Sequence, residues 1–284
     1  CFLEIYGTHI KYRARLMLTN SIWGDIKYYV LYGDMVIKLI IANIAVYAIG
    51  VLVWVIANVI HSSNAAHFLD IYLSVPSSFI LLIKQPWTLL TYMFYHNNIW
   101  HIVSNLIMLY WAGGLFAVYM THEKVLWMYL FGGIVGALVY LVCGTFIPQI
   151  SVGNPLAGAS ASVLAMLFAT VTINPDHEVY VFRNGPFKLK YIAGILGVVY
   201  LISAFGNPNN RGGGIAHIGG IIAGIAYVKA YHSGIDLLKP FAAIGNLFKP
   251  KPKVRLAHKS ETNVARKQKP NDKIQERLDA ILDK

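Results

Sequence analysis

Charged residues are scarce in this chain of 284 residues, and acidic side chains are rarer than basic ones. Only 13% of the residues are charged, whereas soluble domains usually carry about 25%. Hydrophobic residues make up 56% of the sequence, and this combination is typical of a protein embedded in a membrane. The net charge of +11 comes largely from the two ends of the chain, so it predicts basic cytoplasmic segments and no nucleic-acid binding.

Acids are almost absent from the apolar part of the chain, and this absence excludes several kinds of chemistry. Between residues 97 and 232 the acids are Glu123, Asp176 and Glu178, all in predicted turns. A paired-aspartate intramembrane protease is therefore excluded, and a proton-coupled carboxylate transporter is disfavoured. His177-Glu178 does not form a zinc-protease motif because position 181 is a valine. The two cysteines do not make a disulfide framework, and we expect no cofactor.

Six apolar stretches are predicted to cross the bilayer as helices, which takes about 20 residues each. They cover residues 39–60, 98–121, 124–147, 159–173, 190–206 and 215–231, and the fourth and fifth are short. An even number of spans puts both ends of the chain on one side, and the basic residues at both ends place that side in the cytoplasm. The sequence thus predicts an all-α polytopic membrane protein.

The spans divide the chain into three predicted parts. Residues 1–38 form a cytoplasmic N-terminal segment with a short amphipathic helix over residues 20–33. Residues 39–232 form the six-span core, and residues 233–284 form a basic cytoplasmic tail that we expect to be truncated. The loop over residues 61–97 is too long to lack structure, and its apolar content predicts a substructure half sunk in the outer leaflet.

Polar motifs stand at the starts of three apolar stretches, where polar side chains are costly and tend to mark function. The first contains His96, His101 and Asn105, the second Gly158 and Ser160, and the third His217, Gly220 and Gly224. A serine becomes a nucleophile when a base takes its proton, and neutral imidazole is the usual base. Together the motifs indicate hydrolytic chemistry inside the membrane.

The spacing assigns a candidate role to each polar residue. Ser160 lies at a loop-to-helix junction, where the first backbone N–H groups of a helix are free. His101 and Asn105 are four residues apart, so they share one helix face and can donate hydrogen bonds to an oxyanion. His217 is then the base, and without an acid the pair is a dyad. Ser162 is a rival nucleophile, but it points away from Ser160 and is expected to bond a backbone carbonyl.

The glycines after His217 are expected to bring a second helix close to it. Gly220 and Gly224 follow His217 at i+3 and i+7, so all three share one helix face. Small residues on such a face allow helix backbones to approach closely inside a membrane. A zinc site built from the three histidines is disfavoured because no cysteine or acid completes it.

The joint pattern resembles the rhomboid family of intramembrane serine proteases over about residues 35–232. In that family HxxxxHxxxN lies on the second span, GxS opens the fourth and AHxxGxxxG lies on the sixth. The resemblance implies a six-helix rhomboid-like bundle with Ser160 as nucleophile and His217 as base. It also implies an oxyanion hole made by His101, Asn105 and the Ser160 backbone N–H, with His96 as a structural or water-retaining neighbour.

The chain departs from the family pattern at three positions. Many members have glycine where this chain has Ala161, and the common Trp-Arg pair appears as Trp87-Thr88. Some members have a tyrosine four residues after the serine that stacks on the histidine, but here that position is Leu164. His217 must therefore be held in another way.

Two functions from different classes follow. The first is an endopeptidase that cleaves single-span membrane proteins at or near the outer face, with the lipid bilayer and transmembrane substrates as its partners. The second is a non-catalytic rhomboid-like protein that binds or dislocates membrane clients, although such relatives lose the dyad. A channel or transporter is disfavoured because acids and a repeated half-structure are missing. We expect the protein in a bacterial cytoplasmic membrane.

Overall fold

The computed structural model describes residues 22–61, 63–147, 155–182, 185–206 and 211–247. Within these ranges the chain is mostly helical. The elements in chain order are α1 (Ile22–Tyr32), α2 (Met35–Val59), α3 (Ser63–Leu73), α4 (Phe79–Lys84), α5 (Thr88–Thr91), α6 (Ile99–Tyr119), α7 (His122–Phe146), α8 (Ser160–Ile173), β1 (Glu178–Phe182), β2 (Gly185–Lys188), α9 (Leu189–Gly206), α10 (Arg211–His232) and α11 (Lys239–Leu247).

Helices occupy all six apolar stretches. Four of them, α2, α6, α7 and α10, are long and apolar enough to cross a membrane. The helix α8 and the apolar part of α9, Leu189–Ile202, are shorter, as the sequence predicts. Side chains cap two of the long helices at their first turns: Asp34 accepts from the Ile37 N–H at 2.9 Å, and Asn98 accepts from the His101 N–H at 2.8 Å.

The core of the bundle is formed by α7, α8 and α10, with α8 packed against both of the others. Small residues make this packing possible. A side chain at Gly132 of α7 would overlap the Cβ of Ala165 on α8, and one at Gly136 would lie 2.7 Å from the Cβ of Ala161. Inside a membrane, close backbone approach of this kind supplies the packing energy between helices.

The loop between α2 and α6 has the internal structure predicted for it, since it contains α3, α4 and α5. Its last part is hydrogen-bonded into the bundle. The Tyr92 hydroxyl donates to the carbonyl of Gly133 on α7 at 2.6 Å, and the Tyr129 hydroxyl of α7 donates to the Met93 carbonyl at 2.7 Å. These two bonds fix the segment that leads into α6 against the wall of α7.

At the other end of the bundle, β1 and β2 form an antiparallel hairpin, so the prediction of an all-α chain is wrong at this point. Asp176, just before β1, pairs with Lys190 at 2.8 Å and Lys188 at 3.1 Å. Hydrogen bonds from Lys190 and then Lys188 lower the pKa of the Asp176 carboxyl below its usual value. The pairs tie the short connection between α8 and α9 together.

Two predicted segments are only partly covered by the structure. The amphipathic helix predicted over residues 20–33 is present as α1, while residues 1–21 lie outside the described residues. In the predicted tail, α11 packs on α7 through Phe241, whose ring lies 6.0 Å from that of Phe131. The sequence did not predict this helix. Residues 248–284 of the tail also lie outside the described residues.

Candidate active site

A cavity of about 380 Å³ lies between α6, α8, α9, α10 and the loop that precedes α8. Its lining brings together residues from all three polar motifs. Of these, His101 and His217 are 116 positions apart in the sequence. Ser160, His217, His101 and Asn105 all border it. These four of the polar residues predicted from the sequence therefore share one space inside the bundle.

The shortest contact in this cavity joins the predicted nucleophile and base. Ser160 is the first residue of α8, and His217 lies in the second turn of α10. The Nε2 atom of His217 lies 2.6 Å from the Oγ atom of Ser160, which is hydrogen-bond distance. His217 is 7% exposed, so its side chain is almost fully enclosed by the bundle.

Close contact between α8 and α10 sets the positions of the two residues. A side chain at Gly220 would overlap the carbonyl oxygen of Ala161, and one at Gly224 would overlap that of Ala165. The backbones of the two helices therefore touch just below the Ser160–His217 pair. The glycine face predicted from the sequence is the face that α10 presses on α8.

The loop before α8 is fixed by hydrogen bonds to the long segment between α2 and α6. Val75 and Leu156 form an isolated antiparallel bridge with N–H to O distances of 2.9 and 3.1 Å. The Gly158 N–H donates to the Tyr92 carbonyl at 2.9 Å. Ser160 is therefore positioned from both sides, by α10 through the helix contact and by the segment between α2 and α6 through these bonds.

Gly158 fits a place that no other residue could fill without strain. Its φ is +110°, in the left-handed region that favours glycine. A Cβ on this residue would also lie 2.6 Å from Nε2 of His101. The glycine thus allows both the sharp turn into α8 and the close approach of the His101 ring.

His101 and Asn105 of α6 also line the cavity that contains Ser160 and His217. The amide nitrogen of Asn105 donates to the His101 carbonyl at 2.8 Å, and its second hydrogen remains available to the cavity. The backbone N–H of Ser160 belongs to the first turn of α8 and has no acceptor within the helix. His101, Asn105 and Ser160 therefore border one cavity, and donor groups next to a serine nucleophile are the kind that can stabilise an oxyanion.

His96 does not border the cavity, but it contacts two residues next to it. Its Nδ1 lies 3.3 Å from the Phe94 carbonyl, and its Nε2 accepts from the Ala159 N–H at 3.4 Å. Its ring meets that of His101 edge-on at 5.0 Å between centroids. These contacts agree with the structural role, one of the two predicted for this residue.

Ser162 is fully buried on the side of α8 that faces α7, and a Cβ at Gly133 would lie 2.7 Å from its Oγ. It does not border the cavity of Ser160. The expected bond to a backbone carbonyl is wrong, because the Ser162 hydroxyl has no hydrogen-bond partner among the described residues.

No group of three metal-ligating side chains occurs in the described ranges.

Tyr200 is a residue of the site that the sequence analysis missed. It lies on α9, borders the cavity, and meets the His217 ring at 4.4 Å between centroids and 66° between planes. The available signal was a tyrosine three residues after Gly197 and seven after Ala193, on the small-residue face of an apolar helix. Without the register of α9, that pattern does not identify the partner of the ring.

The fold and the cavity define a helical membrane protein with a serine–histidine pair inside the bundle. The sequence model of the Rhomboid domain matches residues 83–234, which is more than half of the chain. The chain therefore belongs to the rhomboid family and is an integral membrane protein. It is also 30% identical over 158 residues to RHOMBOID-like protein 12, mitochondrial, of Arabidopsis thaliana. That match covers 50% of this chain and 46% of the relative, so this chain spans about half of the length of the Arabidopsis protein.

Proposed function

We propose that this protein is an intramembrane serine endopeptidase. Its substrates are single-span membrane proteins, cleaved at or near the outer face of the membrane. The observation that carries the proposal is the 2.6 Å contact between His217 Nε2 and Ser160 Oγ. Because the described part of the cavity holds no carboxylate, the reacting pair is a dyad.

The proposed reaction is acyl transfer in two halves. His217 Nε2 takes the proton of Ser160 as its Oγ attacks the scissile carbonyl, and then returns that proton to the leaving amine. Donors from His101, Asn105 and the Ser160 backbone stabilise the oxyanion that forms. Water then attacks the acyl-enzyme, with His217 acting again as base. The substrate segment must be extended to reach Ser160, so helix-weakening residues near the cut favour cleavage.

The proposed topology has six spans, with both termini in the cytoplasm as the basic ends of the chain predict. With 14 residues, α8 is about 21 Å long, which is shorter than the hydrocarbon core of about 30 Å. We propose that it begins at the floor of the cavity, so that Ser160 lies below the external surface and water reaches it from outside. Residues 39–232 then form the protease core. The bacterial location stays a prediction, and the Arabidopsis relative bears the name of a mitochondrial protein.

The first experiment needs no substrate. Purified protein in detergent is treated with a fluorescent fluorophosphonate, and the wild type is compared with Ser160→Ala, His217→Ala and Ser162→Ala. We expect labelling of the wild type and of Ser162→Ala, with complete loss in the other two. Ser162→Ala is the matched control, because it removes a hydroxyl from the same helix two residues away.

The opposite result supports the second function. A wild type that is folded, by its thermal unfolding midpoint, and yet takes up no label is not an activated serine hydrolase. The protein is then a non-catalytic member of the family that binds membrane clients. Labelling that persists in Ser160→Ala also contradicts the proposal, because the reacting serine is then another residue.

A further inference from the structure

A hydrogen bond restrains only one of the two ring nitrogens of His217, so hydrogen bonds alone do not fix the orientation of the ring. Its Nε2 faces Ser160, but its Nδ1 is buried and has no hydrogen-bond partner among the described residues. In serine hydrolases with a triad, a carboxylate at this nitrogen orients the ring. The tyrosine that stacks on the histidine in some family members is Leu164 here. Another group has to keep Nε2 directed at the serine.

Tyr200 makes the aromatic contact that such a role requires. The two rings meet at 4.4 Å between centroids with 66° between their planes, which is the edge-to-face arrangement that aromatic rings favour. Rotation of the imidazole about its Cβ–Cγ bond would break this arrangement and turn Nε2 away from Ser160 Oγ. The contact therefore opposes the motion that would disable the dyad.

The register of α9 explains why Tyr200 reaches this position. Ala193 and Gly197, seven and three residues earlier, are buried on the same face of the helix. A Cβ at Gly197 would lie 3.2 Å from Cζ of Phe168 on α8. The opposite face carries Ile195 and Ile202, which are 66% and 64% exposed. The small residues thus seat α9 on α8 and turn Tyr200 towards α10.

We propose that Tyr200 is a positioning residue that holds the His217 imidazole with Nε2 directed at Ser160. The inference rests on the proposed function, and it goes beyond it by assigning a third member to the reacting group. Tyr200 acts through its ring and takes no part in proton transfer. The restraint on His217 thereby comes from α9, whereas the serine comes from α8.

The test measures how fast the fluorophosphonate labels Ser160 in Tyr200→Phe and Tyr200→Leu. The probe concentration is varied to obtain two quantities for each variant. These are the limiting labelling rate at saturating probe and the probe concentration that gives half of that rate. The matched control is Tyr191→Leu, the same change on the same helix at a side chain that is 60% exposed. Thermal unfolding midpoints of all variants are measured in the same detergent.

We expect Tyr200→Phe to stay within about twofold of the wild-type limiting rate, because it keeps the ring. Tyr200→Leu should lower that rate roughly tenfold, as expected for loss of one aromatic contact at a reacting group. The half-saturating probe concentration and the rate of Tyr191→Leu should not change. If Tyr200→Leu unfolds at a markedly lower temperature, Tyr200→Met replaces it, since its side chain fills space without a ring.

Three results overturn the inference while leaving the proposed function intact. The first is a wild-type limiting rate in the leucine or methionine variant. The second is an equal loss in Tyr200→Phe, which would assign the effect to the hydroxyl. The third is a change confined to the half-saturating concentration, which would make Tyr200 part of the binding wall only. Absence of label on the folded wild type instead contradicts the proposed function itself, and the inference with it.

Discussion

Two helices that border the same cavity are packed in opposite ways. The helix α10 is buried against α7 and α8, and its glycines let its backbone touch that of α8. The helix α9 contacts α10 and α8 along one face and exposes the other, where Tyr191 and Ile195 are 60% and 66% exposed. Both nonetheless contribute to one site, through His217 and Tyr200 respectively.

The difference separates two requirements of a serine–histidine pair. The distance between Ser160 and His217 is set by contact between two backbones, which leaves little room for adjustment because packed interiors are dense. The orientation of the imidazole is set by one contact with the ring of Tyr200. This residue lies on α9, whose opposite face is exposed. Changes in α10 should therefore affect the fold and the activity together, whereas changes in α9 should affect the rate more than the fold.

The largest effect is expected from Gly220→Ala. The added methyl group would overlap the Ala161 carbonyl oxygen, and since both partners are helix backbone, α8 and α10 must separate. We expect a loss of roughly 3 kcal/mol or more in stability, at the upper end for overpacked cores, and no fluorophosphonate labelling. Denaturant unfolding in detergent and labelling of the same samples measure the two effects.

The matched control for this change is Gly194→Ala on α9. A Cβ at Gly194 meets nothing within 4 Å, so the variant should be unchanged or slightly more stable, because alanine favours a helix over glycine by about 1 kcal/mol. If both variants behave alike, close backbone contact is not what distinguishes α10. If Gly220→Ala keeps its stability and its labelling rate, the contact between α8 and α10 does not set the dyad.

An intermediate effect is expected from His101→Ala on α6, a helix that contributes hydrogen-bond donors but no member of the dyad. Removing one oxyanion donor typically lowers the rate of the chemical step about 100-fold or more. We expect a loss of that order in limiting labelling rate, with the unfolding midpoint near that of the wild type. The matched control is His122→Ala, which removes an exposed histidine at the start of α7.

A labelling rate within a few-fold of wild type for His101→Ala would contradict the assignment of this side chain to the oxyanion hole. The Asn105 amide and the Ser160 backbone N–H would then suffice. An equal loss in His122→Ala would show that the change acts through the fold as a whole. Either result would mean that the His101→Ala data give no support for a contact between α6 and the transition state.

The sequence predicts the positions of the helices well, because long apolar stretches in a membrane protein have few alternatives to helix. It also brings Ser160 and His217 together, because the motifs occur in the order that the family resemblance requires. The β1–β2 hairpin was not predicted, although Asn184-Gly185 is a strong hairpin signal. Two strands of five and four residues are too short for periodicity to reveal them in a mostly apolar chain.

Tyr200 could not be predicted for a different reason. Its contact with His217 depends on how α9 is rotated and how far it is shifted along α8 and α10. These quantities follow from the fit of Gly197 to Phe168, which joins residues on two helices. Ser162 shows the same limit, because spacing does not reveal that its side of α8 faces Gly133 of α7, where a Cβ would lie 2.7 Å from its Oγ. Sequence spacing fixes which residues share a helix face, but not which helix that face meets.

The smallest effect is expected from Gly197→Ala, which makes the change of Gly220→Ala on the other helix of the comparison. The new Cβ would lie 3.2 Å from Cζ of Phe168, so a flexible ring has to yield by a few tenths of an ångström, and α9 can shift towards its exposed face. We expect a stability change within about 1 kcal/mol, since helix propensity offsets the crowding, and a two- to threefold lower limiting labelling rate as Tyr200 moves with α9. A loss of fold as severe as that of Gly220→Ala would show that α9 is seated as rigidly as α10. The contrast between distance set by backbone and orientation set by a side chain would then be wrong.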